Sequence, residues 1–271
     1  MERTTGQVMS DSLATSLVEL ATTIAHEVGA VALAGRKRGL TDVSTKSTST
    51  DMVTEYDKLT EASIITALRA ARPDDSIVGE EGGGYTGTSG ITWFVDPIDG
   101  TTNFLYDLPT WTVSLGAHDA NGELAAVVFC PPLNETYTAN RGGGAYLNGT
   151  RIYCNEVTDI AQCLIATGFN YSPDNRLVQA ARIPKIIAEI RDIRRLGSAS
   201  LDLCFVASGR YDAYYEEHLF PWDLAAGTLI AKESGCKIGS IDGGDILPSA
   251  ILASPAAVFT QIQNLIHRSK S

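Results

Sequence analysis

The sequence predicts an α/β protein built as one large domain or two smaller ones. Three observations carry this. The chain has 271 residues, against roughly 100–200 per domain. It is 44% hydrophobic and 20% charged, with 25 Gly and 10 Pro, a globular profile that excludes disorder, collagen and coiled-coil fibres. Apolar patterns of helical and strand period both occur along it. The first half mixes them as α+β and the second alternates more regularly, which sets a soft boundary near residue 150 and domains at 1–150 and 151–271.

Leu13, Leu17, Leu20, Ile24, Val28 and Val31 step by three and four. They predict one face of an amphipathic helix, capped by Asp11 or Ser12. Residues 41–56 are Ser/Thr-rich and read as irregular or hairpin structure. A second helix is expected from Asp57 to Ala71, with Ile64, Ile65 and Leu68 inward and Pro73 beyond its end. Residues 76–78 read as a short strand entering a Gly-rich loop at 82–90, and Ile91 to Val95 as a buried strand. Further strands are expected at 111–118, 124–129 and 135–139, with a hairpin or sheet edge at 141–149. Beyond it, helices are expected over 176–190, 198–208 and 222–234, the last closed by Gly235, and strands at 163–168, 211–216 and 250–254.

The net charge of −11 argues against a nucleic-acid partner, which needs a basic face. Small anionic substrates stay open, because a bound cation inverts the local sign. Five cysteines at 130, 154, 163, 204 and 236 form no CxxC pair, so zinc ribbons and redox motifs lack support. Buried free thiols in a reducing cytosol are expected. No run of 18 apolar residues is present and the first residues hold no apolar signal core. The expectation is therefore a cytoplasmic protein with no membrane partner. Met9 offers a second start.

Carboxylates stand at the ends of three predicted elements. Glu80-Glu81 follows the 76–78 strand; Asp96-Pro-Ile-Asp99-Gly-Thr-Thr-Asn103 follows Trp93-Phe-Val95; Trp222-Asp223 opens a helix. Hard divalent cations take carboxylate and carbonyl oxygens, with Mg²⁺ keeping some waters. Two such ions can clamp the attacking and leaving oxygens of a phosphoryl transfer. Gly100-Thr101-Thr102 suggests a tight turn into a helix whose exposed N–H groups would face an anion.

The segment Trp93 to Phe104 resembles the signature of the inositol monophosphatase family, a Mg²⁺-dependent, lithium-sensitive phosphatase group. Gly79-Glu80-Glu81, Trp222-Asp223-Leu-Ala-Ala-Gly227, Lys46 with Asp51 to Asp57, Gly197-Ser-Ala199 and Asp212 to Glu216 resemble its other blocks, in order. The likeness covers about residues 12–260. Segments 105–109 and 190–197 look more like the actinobacterial branch than the animal enzymes. The resemblance implies a layered αβαβα sandwich of the inositol monophosphatase/fructose-1,6-bisphosphatase type and a cytoplasmic homodimer. It implies hydrolysis of myo-inositol 1-phosphate, a small phosphorylated polyol, by in-line attack of a metal-activated water.

The implied residue roles are specific. Glu80, Asp96 and the Ile98 carbonyl would hold one Mg²⁺. Asp96, Asp99 and Asp223 would hold a second, and Glu80 with waters a weaker third; Mn²⁺ is an alternative ion. Thr101 and Glu80 would orient the water, with Asp57 polarising Thr101. Gly100 and Thr101 N–H groups would hold the phosphate. Glu216 would accept polyol hydroxyls, Ala199 would form the pocket wall, and Asp99 and Asp223 would also touch the ring. Histidinol phosphate and fructose 1,6-bisphosphate are the alternative substrates, and a regulatory or interaction protein on this scaffold is the alternative outside enzymes.

Other features carry less. Gly82-Gly-Gly-Tyr-Thr-Gly87 fits GxGxxG but lacks the flanking strand and helix of a dinucleotide site, so it reads as a flexible loop. Asp96 and Asp99 stand two residues apart, not in the DxD spacing of a phosphoaspartate enzyme. Arg191, Arg194 and Arg195 read as an ion-paired element end rather than a phosphate patch. His218 reads as structural or surface.

Overall fold

Helices α1 (Thr5–Arg38) and α2 (Glu55–Ala71) lie on one face of an eight-stranded sheet, joined by the antiparallel hairpin β1 (Val43–Thr45) and β2 (Met52–Thr54). The computed structural model describes residues 5–39, 43–48, 51–244, 246 and 250–270, with side chains from residue 12 on. The first sheet holds β3 (Ser76–Gly79), β4 (Gly84–Tyr85), β5 (Thr92–Asp99), β6 (Thr112–Asp119), β7 (Gly122–Cys130), β8 (Glu135–Asn140), β9 (Gly144–Leu147) and β10 (Thr150–Arg151). Its order is β10-β9-β8-β7-β6-β5-β3-β4, antiparallel except for the parallel pair β3 and β5. The short helix α3 (Thr101–Leu105) follows β5 directly.

The second half contributes β11 (Leu164–Thr167), α4 (Pro173–Ala180), α5 (Ile183–Ile186), β12 (Asp192–Arg194), α6 (Ala199–Ala207), β13 (Ala213–Glu217), α7 (Pro221–Glu233), β14 (Lys237–Gly239), β15 (Ala250–Ser254) and α8 (Ala256–Ser269). Its five strands run in the order β12-β11-β13-β15-β14. β12, β11 and β13 are parallel, and β15 is antiparallel to both neighbours.

Strand alternation builds the layers. On the first sheet, Val113, Leu115, Ala117, Ala125, Val127 and Phe129 pack under α1 and α2. Ala126, Val128 and Cys130, pointing the other way, pack on α6 and α7. On the second sheet, Ala166, Tyr214, Ile251 and Ala253 meet that same helix layer. Ile165, Ala213, Tyr215 and Leu252 face α5 and α8. The result is an αβαβα sandwich. Every residue of α6 is buried, because a helix clamped between two sheets has no solvent face; hence its apolar run Leu-Asp-Leu-Cys-Phe-Val. Each fully buried Leu or Val in these layers stabilises by about 1.5–3 kcal/mol.

Several sequence expectations change. α1 begins ahead of Asp11, so neither Asp11 nor Ser12 caps it; no proline interrupts the backbone there. Val31 is 50% exposed, because the stripe continues from Val28 to Ala32 and is completed by Ala14, Ala21 and Ala25. Residues Ser12–Arg38 are long and apolar enough to cross a bilayer by length and composition, but their apolar stripe is packed on the sheet. The single helix expected over 176–190 is two, because Pro184 cannot donate into a helical ladder. The loop at 82–90 contains an edge strand, Gly84–Tyr85, paired with β3. The 41–56 hairpin forms, with residues 41, 42, 49 and 50 outside the described set. Strands β12 and β14 are too short to read from periodicity, and α8 was not anticipated although Val258, Ile262 and Leu265 keep helical spacing.

Candidate active site

Strand β5 does not stop at Val95. It runs on to Asp99, with a register shift against β6 between Asp96 and Asp99. The irregularity lets both aspartates reach the mouth of the sheet despite a spacing of three, where strict alternation would place them on opposite faces. Gly100 then adopts φ +92°, a left-handed conformation that costs a side-chain-bearing residue energy, and α3 starts immediately. Phe104 N–H bonds back to Gly100 O at 3.0 Å, leaving the N–H groups of the helix start without helical acceptors.

A cleft of about 470 Å³ opens here. Nine of the ten residues predicted from sequence border it: Glu80, Asp96, Ile98, Asp99, Gly100, Thr101, Ala199, Glu216 and Asp223. Asp57, the tenth, sits fully buried behind Thr101. Its Oδ1 accepts the Thr101 hydroxyl at 3.1 Å, and its Oδ2 accepts Thr54 N–H at 2.7 Å and Thr54 Oγ1–H at 2.5 Å. Asp57 is the third residue of α2, so the helix cap that fixes it also aims it at the cleft. Thr101 Oγ1 also lies 3.1 Å from Ile98 O.

Each cleft carboxylate has a protein partner. Glu80 receives Lys46 Nζ at 2.8 Å, which also reaches Glu81 at 2.5 Å. Asp96 Oδ1 accepts Ile98 N–H at 3.1 Å. Asp99 accepts Ser198 Oγ–H at 2.8 Å, Ala199 N–H at 3.2 Å and Ser200 N–H at 2.7 Å, which joins β5 to the start of α6. Asp223 accepts Phe220 N–H at 2.6 Å and so caps α7. Glu216 Oε2 accepts Tyr214 OH at 2.6 Å.

The electrostatics are those of crowded acids. Burial, then repulsion from Glu80, Asp99 and Asp223, pushes the Asp96 carboxyl well above the carboxylate range. Burial raises Glu80 to about 6, against the pull of Lys46. Burial and Asp99 raise Asp223. Desolvation works to lower Lys46, but Glu80 and Glu81 more than offset it and hold its pKa up.

This donor set fits a hard divalent cation by its chemistry: gathered oxygen donors whose burial and mutual repulsion cationic charge would relieve. Among the described residues, no three acidic, His or Cys side chains are gathered on one metal point. Asp99 and Asp223 are turned to their backbone partners in this conformation.

Sequence reasoning missed four contributors. Glu61 of α2 accepts Glu81 N–H and Gly83 N–H, both at 2.8 Å, and fixes the loop that carries Glu80. Ser198 and Ser200 hold Asp99. Asn103 donates to Thr110 O at 2.7 Å and Leu196 O at 3.0 Å, tying the loop after β5 to the second half. None has a local signal, since each acts across a long sequence gap. Arg195, expected in an ion-paired element end, lines the cleft, where its charge bears on Glu216; Arg194 alone pairs with Asp192, at 2.6 Å. His218 also lines the cleft, at φ +65°.

The chain is similar to known proteins over most of its length. The family model described as the inositol monophosphatase family matches residues 13–269. The chain is 42% identical over 221 residues to Inositol-1-monophosphatase SuhB of Mycobacterium tuberculosis, covering 78% of this chain and 76% of that protein. It is 38% identical over 254 residues to Nus factor SuhB of Haemophilus influenzae, covering 92% and 95%. The crystal structure of the extragenic suppressor protein suhB from Bartonella henselae superposes with TM-score 0.88 at 31% identity, covering 93% of this chain and 98% of that one. The mycobacterial similarity accords with the actinobacterial look of segments 105–109 and 190–197.

Proposed function

The chain belongs to the inositol monophosphatase family, and we propose that it is a Mg²⁺-dependent phosphomonoesterase acting on myo-inositol 1-phosphate. The observation that carries this reading is the Asp57–Thr101 hydrogen bond at the edge of a cleft lined by Glu80, Asp96, Asp99 and Asp223. The name of the mycobacterial relative supports the substrate.

Glu80, Asp96, Asp99, Asp223 and the Ile98 carbonyl would hold two to three Mg²⁺ ions. Bound there, the metal supplies charge neutralisation and a more acidic water. The rest falls to the chain's own groups. Thr101 has one hydroxyl hydrogen; when it points to Asp57, its lone pairs are left free to accept a hydrogen bond from the attacking water and orient it. Asp57 thereby sets the direction of that hydroxyl, and Glu80 would orient the water with it. The unsatisfied N–H groups at Gly100 and Thr101 would hold the phosphate oxygens. Phosphoryl transfer depends mainly on such positioning and neutralisation. Glu216, against the far wall with Ala199, would accept polyol hydroxyls. In this reading residues 1–150 supply most metal ligands, residues 151–271 supply Asp223 and the substrate rim, and the working unit is a cytoplasmic homodimer.

Phosphate release with Mg²⁺ and with EDTA, against inositol 1-phosphate, histidinol phosphate and fructose 1,6-bisphosphate, tests this. Mg²⁺-dependent preference for the inositol ester is expected. Preference for another ester would keep the metal site and overturn the role given to Glu216. A second reading, an interaction protein on this scaffold, is favoured by the Nus factor SuhB relative; no release from any ester by folded protein with Mg²⁺ would select it.

A further inference from the structure

Away from the cleft, the end of α7 holds a thiol pair. Gly235 takes φ +100° just past the helix, the left-handed turn that ends helices and that glycine adopts freely. It swings Cys236 back so that its N–H bonds to Ala231 O at 3.0 Å. The chain leaving β10 meets this turn: Cys154 N–H donates to Ser234 O at 3.1 Å. Cys154 Sγ would lie 3.8 Å from a Cβ at position 235, the residue next to Cys236, and each thiol shifts the ionisation of the other. Ser234 Oγ stands 3.5 Å from Cys236 Sγ. Two segments 82 residues apart in sequence thus bring two reduced cysteines together at one turn.

We propose that Cys154 and Cys236 are a redox modification site that closes to a reversible disulfide in exchange with low-molecular-weight disulfides. Cys154 is the accessible partner, only half-buried, while Cys236 is buried. The Cys236 thiol beside it brings the Cys154 thiol down to about 7, so a sizeable fraction is thiolate at neutral pH, near the optimum for an attacking thiol. Cys130, Cys163 and Cys204 are buried and pushed upward by desolvation, which keeps them inert. A partly accessible, acidic thiol beside a resolving cysteine is the arrangement of a redox-sensitive site. The chemistry balances. Cys154 thiolate attacks one sulfur of the external disulfide and expels one thiolate. Cys236 then gives up its proton and attacks Cys154 Sγ, expelling the second. Two protein thiols are oxidised and one external disulfide is reduced to two thiols. The bond would tie the end of the first sheet to the turn that closes the helix whose first turn carries Asp223.

The test uses the whole chain equilibrated in graded glutathione disulfide and glutathione, trapped by alkylation, cut with trypsin and mapped by mass. The expected product is a fragment joining residues 152–176 to 233–237, two hydrogens lighter than the separate peptides and released by reductant. Titratable thiols should fall from five to three. Because residues 152–176 also contain Cys163, C163S must retain the link and C154S must lose it. The inference is overturned if wild-type protein stops at a glutathione adduct on Cys154 with Cys236 still alkylated, or if the link persists in C154S.

Discussion

Asp57 serves two structures with one carboxylate: Oδ2 caps α2 through Thr54, and Oδ1 accepts the Thr101 hydroxyl at 3.1 Å across a gap of 44 residues. The helix start and the cleft are therefore coupled through a single buried side chain. Removing either oxygen's role acts on both.

The first prediction concerns that pair. Asp57→Asn should lower kcat by about 100-fold or more, the scale of one positioned proton-handling group, with KM little changed. Thr101→Val should do the same. The double variant should lose hardly more than either single one, because both break one unit. Additive losses in steady-state phosphate release would show that the two act separately.

Asp96→Asn should abolish turnover while leaving the fold intact. The asparagine keeps the Oδ1 acceptor for Ile98 N–H and cannot ionise beside Glu80, Asp99 and Asp223. Its Tm without metal should equal or exceed wild type, and the rise in Tm that Mg²⁺ gives wild type by binding the native state should shrink. Thermal melts with and without Mg²⁺, beside the activity assay, read both; full activity in the variant would sink the two-metal reading.

Glu61 touches no substrate in this scheme, yet its loss should matter. Glu61→Ala removes acceptors from Glu81 and Gly83 N–H. With charge-assisted hydrogen bonds near 1.5–3 kcal/mol each, stability should fall by about 3–6 kcal/mol. The Mg²⁺ concentration giving half-maximal activity should rise several-fold as the Glu80 loop loosens. Denaturant melts and a Mg²⁺ titration separate the two effects.

Glu216 carries a pH signature. Enclosure by protein raises its carboxyl from 4.5 to about 7, against the Tyr214 hydrogen bond. The folded chain thus holds a proton that the unfolded chain has already released between those values. This contribution to stability is present below pH 4.5 and is lost as pH rises to 7. Glu216→Gln cannot ionise, so it should raise Tm at pH 8 and leave it unchanged at pH 4. The same variant should raise KM for a polyol ester more than it lowers kcat. Melts at the two pH values and a KM comparison check it.

Much of this was legible in the sequence because the information was local. The run from Trp93 to Phe104 packs a strand, two aspartates, a glycine turn and a helix start into twelve residues. Ile64 and Leu68 showed their burial through helical spacing. Val31 misled because a stripe of small alanines, with little hydrophobic signal, carries α1 across the sheet. Residues 176–190 misled because an apolar rhythm crossed Pro184.

The sequence by itself determined which oxygen-bearing side chains the protein owns, where glycine permits the turn at residue 100, and which faces of α1, α2 and the strands must leave water. These depend on neighbours a few residues apart. Only the tertiary structure decided that Asp57 stands behind Thr101, that Glu61 holds the Glu80 loop, that Ser198 and Ser200 grip Asp99, and that Cys154 meets Cys236. Those relationships cross gaps of 20 to 101 residues. Their geometry follows from how two sheets pack around α6 and α7, which no short window of sequence contains.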